Sequence, residues 1–225
     1  MRYEVNGGVF PVVTCYLNNG ESMITEKGSM VWMSPNMQMD TKGGGLGKMF
    51  SKAFSGESMF QNIYTANGNG MITFGCSFPG EIRALQIAPG QEMIVQKRSF
   101  LAAETGVELS IHFNKKLGVA LFGGEGFIMQ RLSGNGIAFV EIDGALMEYQ
   151  LQPGEQLVVD SGNVAAFTPS VKMDIQQVAG LKNKLLGGEG IFNTLLTGPG
   201  TVWLQTMPIS GIAATLQGMI PSGNG

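Results

Sequence analysis

Short apolar runs, each bounded by a glycine turn, recur along the whole chain. Met71-Ile72-Thr73-Phe74, Ile137-Ala138-Phe139-Val140 and Thr201-Val202-Trp203-Leu204 all follow a Gly-X-Gly turn. Runs of this length and composition predict strands buried on both faces. Val13-x-Cys15-x-Leu17 and Met147-x-Tyr149-x-Leu151 instead alternate apolar and other residues at period two, the strand repeat. Pro89-Gly90 and Pro153-Gly154 predict turns. Asp143-Gly144 accepts the positive φ of a tight turn and predicts a hairpin between Val140-Glu141-Ile142 and Ala145-Leu146-Met147.

These runs fall into three copies of one unit. A first anchor is Gly20-Glu21-Ser22-Met23-Ile24-Thr25, Gly90-Gln91-Glu92-Met93-Ile94-Val95 and Gly154-Glu155-Gln156-Leu157-Val158-Val159. A second is Gly56-Glu57, Gly124-Glu125 and Gly188-Glu189, lying 36, 34 and 34 residues on. The third is the Gly-X-Gly turn at Gly68, Gly134 and Gly198, a further 12, 10 and 10 residues along. Three anchors in constant order at near-constant spacing mark a triplication. The expected fold is all-β: three tandem β-sandwich repeats in a pseudo-threefold arrangement, with short helical connectors. The repeats cover about 1–80, 81–144 and 145–215 of a single domain, followed by a tail at 216–225. The ends of such an array expose sheet edges that other subunits could cover.

Composition narrows the function classes. Only 14% of residues are charged, and 34 of the 225 are glycine. Low charge and many turns suggest a chain that buries surface in an oligomer. The net charge is −3 and the pI about 5.2, without a basic stripe, which argues against sequence-independent nucleic-acid binding. Two distant cysteines, Cys15 and Cys76, make no disulfide framework and read as buried thiols of a reducing, cytoplasmic protein. No apolar run reaches the ~20 residues that span a bilayer, and the first residues lack a secretory apolar segment.

Candidate chemistry is sparse. His112 is the single histidine and lies in a strand-like run, where a structural role is expected. One histidine and two distant cysteines do not supply zinc spacing, so no metal, cofactor or catalytic residue is assigned. Lys42-Gly43-Gly44-Gly45-Leu46-Gly47-Lys48 lacks the Gly-Lys-Ser/Thr ending of a phosphate loop. Behind it, Leu46, Met49, Phe50 and Phe54 recur at helical spacing, with Lys48 and Lys52 off the stripe. This segment reads either as a connector packed on the β layer or as a surface for a protein partner or peripheral membrane contact. Gly56, Glu57, Gly124, Glu125, Gly188 and Glu189 form the repeated turn motif. Their carboxylates are expected to cap backbone donors, although three symmetric carboxylates could also meet at an axis.

The chain also resembles a known family. Gly7-Gly8-x-Phe10-Pro11-Val12, Lys42-Gly43-Gly44-Gly45-Leu46, Gly56-Glu57-Ser58-Met59-Phe60, Gly124-Glu125-Gly126-Phe127, Gly188-Glu189-Gly190 and Gly198-Pro199-Gly200 are similar to motifs of the mitochondrial-biogenesis (altered inheritance of mitochondria) family. The resemblance implies repeated units with a fold like the tryptophan RNA-binding attenuation protein (TRAP-like), and bacterial members that form trimers. It brings no reaction and no defined site, and no motif carries that protein's tryptophan or RNA contacts over. The expected function is a non-enzymatic oligomeric scaffold or interaction protein, with a ligand- or RNA-binding ring as the alternative.

Overall fold

The computed structural model describes residues 1–26, 28–42, 61–115, 126–177, 192–209 and 211. Nineteen strands run through these residues. A lead strand, β1 (Arg2–Asn6), precedes three sets of six. The first set is β2 (Val12–Leu17), β3 (Ser22–Thr25), β4 (Met30–Met33), β5 (Met37–Lys42), β6 (Gln61–Ala66) and β7 (Gly70–Gly75). The second is β8 (Gly80–Ile87), β9 (Met93–Gln96), β10 (Phe100–Glu104), β11 (Val107–Lys115), β12 (Phe127–Gly134) and β13 (Gly136–Asp143). The third is β14 (Leu146–Leu151), β15 (Gln156–Asp160), β16 (Val164–Phe167), β17 (Lys172–Gln177), β18 (Phe192–Thr197) and β19 (Gly200–Gln205).

Within every set the pairing is the same, and all of it is antiparallel. The sixth strand lies between the first and third, as β7 does between β2 and β4. The fifth lies between the second and fourth, as β6 does between β3 and β5. β13 and β12 repeat this in the second set, and β19 and β18 in the third. The third strand of each set carries a bulge at one position, between Met30 and Trp32, Phe100 and Ala102, and Val164 and Ala166. An extra residue at a bulge fixes register and bends the strand, so Trp32, Ala102 and Ala166 hold equivalent places.

Successive sets are joined by sheet continuity. β3 pairs with β10, and β9 with β16. The result is two six-stranded sheets flanked by a four-stranded sheet, β1-β2-β7-β4, and a three-stranded one, β15-β18-β17. A core fills each space between successive sheets. Val13, Cys15, Ile72 and Phe74 of the first sheet meet Met23, Leu101 and Phe139 of the second. Ile24, Phe100 and Val140 of the second meet Val95, Leu132 and Ala166 of the third. Ile94, Phe127 and Phe167 of the third meet Val159, Ile175 and Leu196 of the fourth. The inner sheets are therefore packed on both faces, which is why β9 and β16 are apolar runs without polar alternation.

Turn chemistry follows the sequence, with one correction. The first anchor forms a four-residue turn in each set: Glu21 N–H donates to Asn18 O, Gln91 N–H to Ala88 O and Glu155 N–H to Gln152 O. Gly20, Gly90 and Gly154 take φ of +82°, +81° and +78° at its third position, where such turns favour glycine. Asp143-Gly144 is not a hairpin. Gly144 has the expected positive φ of +79°, but β13 and β14 belong to different sheets. The glycine serves a crossing between layers, and positive φ alone does not distinguish a crossing from a hairpin. Two 3-10 turns, Lys97–Ser99 and Ser161–Asn163, lie among the described residues; the helical connector expected at Leu46 to Phe54 lies outside them.

Candidate interaction surface

The two end sheets each lack what the inner sheets have. Among the described residues, β4 has no neighbour beyond β7, and β15 none beyond β18. Their counterparts at the inner junctions are buried: β9 and β16 along their whole lengths, and β3 and β10 except at one residue each. The end strands keep apolar residues in water instead. Val31 is 53% exposed, Trp32 47% and Val158 57%. Tyr3, Val5, Val9 and Phe10 are also exposed near the lead strand, and Met147 and Tyr149 on β14. An exposed edge that combines free backbone groups with large apolar side chains is adhesive, and soluble proteins usually blunt it with charge.

Polar groups at the inner junctions are built in. Glu141, buried on β13, accepts from Ser77 N–H at 2.7 Å through Oε2. Gln205, buried on β19, accepts from Asp143 N–H at 3.1 Å through Oε1. The two acceptors hold equivalent places, one at each junction. Burial raises the Glu141 carboxyl to about 7, with the Asp143 charge adding to the rise and the Ser77 amide opposing it. Burial also raises Asp143, opposed by its bond from the Ile209 amide.

The thiols and the histidine have structural surroundings. Burial pushes the Cys15 thiol up to about 12 and raises Cys76 as well, with Glu141 adding to the latter. Both thiols are therefore protonated at neutral pH and poor nucleophiles. His112 lies on β11 with its Nδ1 3.2 Å from Arg131 Nη2 and its ring edge-on to Phe167. Arg131 is also paired with Glu92. Desolvation and the Arg131 charge hold the imidazole below its usual value. No group of three or more His, Cys, Asp or Glu among the described residues could hold a metal.

The sites singled out in the sequence lie elsewhere. Leu46, Met49, Phe50 and Phe54, and the turn residues Gly56, Glu57, Gly124, Glu125, Gly188 and Glu189, all fall outside the described residues. Exposed edges at the ends of the array were expected from the sequence, but not which strands form them. Met30-Val31-Trp32-Met33 reads as an ordinary buried run, and only the missing neighbour marks it.

Comparison with known proteins places the chain. The profile of the family described as Mitochondrial biogenesis AIM24 matches residues 3–207. An uncharacterized protein of Streptococcus pyogenes serotype M6 is 30% identical over 99% of this chain and 92% of its own length. The Altered inheritance of mitochondria protein 24, mitochondrial, of Emericella nidulans is 25% identical over 76% of this chain, which spans 42% of that relative's length. A crystal structure of a Streptococcus pyogenes protein superposes with a TM-score of 0.78 at 26% identity, covering 97% of this chain and 99% of that one. The chain belongs to the AIM24 mitochondrial-biogenesis family.

Proposed function

We propose that this protein is a non-enzymatic oligomeric scaffold or interaction protein, built of three TRAP-like units in one domain and acting in the cytoplasm. The observation that carries the reading is the pair of incomplete end sheets, which hold Val31, Trp32 and Val158 in water. Burying such side chains stabilises an assembly by roughly 1.5–3 kcal/mol each when burial is complete. The unreactive thiols support a structural role, and their lack of a bridge suits a reducing compartment. The units follow one another by the same sheet-to-sheet step. Among the described residues no strand pairing joins the third set to the first.

A homo-oligomer, with the trimer as the favoured size, is the form in which the protein works on this reading. Light scattering on the full chain tests it. A mass that is a multiple of 23.9 kDa, three-fold for the trimer, is the expected result. A mass of 23.9 kDa at micromolar concentration would overturn the reading.

A further inference from the structure

We infer that β4 of one copy pairs with β15 of a second copy, completing a third six-stranded junction with Met33 opposite Val158 and Trp32 opposite Val159. The inference rests on the oligomeric reading above and specifies how the copies meet.

Topology names the partners. Both inner junctions join the second strand of one set to the third strand of the next: β3 to β10 and β9 to β16. The strands left over are the second of the third set, β15, and the third of the first set, β4. The half-sheets they belong to are complementary as well. β15-β18-β17 matches the half-sheets β3-β6-β5 and β9-β12-β11, and β4-β7-β2 matches β10-β13-β8 and β16-β19-β14.

Register follows from the two inner junctions, which agree. Ala103 faces Ile24 in one, and Phe167 faces Ile94 in the other, with Ala166 facing Val95. The shared bulge makes Met33 the counterpart of Ala103 and Phe167, and Trp32 that of Ala102 and Ala166. The first anchor makes Val158 the counterpart of Ile24 and Ile94. Both strands run antiparallel to their partners at the inner junctions, and the same holds here.

Side-chain chemistry fits a missing neighbour. Leu101 and Ala165, counterparts of Val31, are fully buried, as is Ile94, the counterpart of Val158. Apolar residues at these places are explained if β4 and β15 are also covered. A second copy is the occupant because the two edges lie at opposite ends of one chain. The first and fourth sheets are separated by both inner sheets and by three successive cores. Head-to-tail contact between identical chains uses both edges and closes into a ring when the rotation permits.

Paired cysteines test the contact. Met33→Cys with Val158→Cys, in the full chain with Cys76→Ser, is oxidised with diamide and run without reductant. A ladder of covalent multimers that collapses on reduction is expected, and neither single variant should give one. A disulfide confined to single chains would overturn the assignment to a second copy. The companion variants Trp32→Arg and Val158→Lys change exposed positions, so circular dichroism should match the parent while the assembly falls to 23.9 kDa. If the parent is oligomeric but gives no ladder, and both charge variants retain its mass, this contact is wrong and the oligomeric reading survives. If the parent itself weighs 23.9 kDa, both fail.

Discussion

The inner junctions and the open edges use equivalent strands to opposite effect. At the inner junctions, β9 and β16 are buried residue by residue. At the edges, β4 and β15 have the same place in the same pairing scheme, yet carry Trp32 and Val158 into solvent. Local sequence does not make this difference, since all four strands are rich in apolar residues. Burial here depends on whether a neighbouring set exists. A strand's apolar run reports the environment for which it is suited, and the edges are suited to a covered one.

The largest contrast between junction and edge comes from truncating a side chain. Ile94→Ala removes a fully buried side chain at an inner junction and should cost about 2–5 kcal/mol in denaturant unfolding. Val158→Ala, at the equivalent edge position, should change the stability of the isolated chain by no more than about 0.5 kcal/mol. Equal costs in dissociated protein would show that the edge is covered within one chain.

The two junction acceptors give the next contrast. The carboxyl of Glu141 is raised to about 7 in the folded protein from an ordinary 4.5. The folded state holds this proton more tightly than the unfolded chain. Its contribution is therefore complete below pH 4.5 and is lost as pH rises through about 7, to an extent on the order of 3 kcal/mol. Glu141→Gln, which copies the Gln205 junction, should stabilise the protein at pH 8 and leave it little changed at pH 4.5. Unfolding curves at the two pH values measure this. An unchanged pH profile in the variant would remove Glu141 from the account.

Smaller effects are expected from exchanging the bulge residues. Ala166→Trp places the edge's side chain in the core shared by the inner sheets, and over-packing should cost about 1–3 kcal/mol. Trp32→Ala should alter the isolated chain by only about 0.5 kcal/mol, while weakening any assembly. Thermal unfolding at low protein concentration separates the two.

Much of this architecture was readable from the chain. The three anchors, the glycine turns and the apolar runs all depend on local chemistry, and they locate the three sets of strands. What was not readable depends on distant partners. Asp143-Gly144 requires positive φ whether it closes a hairpin or crosses between layers, and the sheet membership of β13 and β14 decides which. Glu141 looks like an ordinary polar strand residue until Ser77 and the neighbouring sheet enclose it. The edge at Trp32 is invisible locally because its sequence matches a buried strand. Leu46, Met49, Phe50 and Phe54, which the sequence reads either as a packed connector or as a partner or membrane surface, lie outside the described residues. If they serve a membrane, Phe50→Asp should abolish vesicle flotation.

Backbone amide hydrogen exchange in β4 reads directly whether a second copy covers this edge. Slow exchange is expected for Val31 to Met33 in the assembled protein, comparable to that in β10 and β16. In Val158→Lys, exchange in β4 should become fast while β10 and β16 stay protected. Fast exchange of β4 in the parent protein, or protection that survives Val158→Lys, would contradict the claim that a second copy's β15 covers this edge.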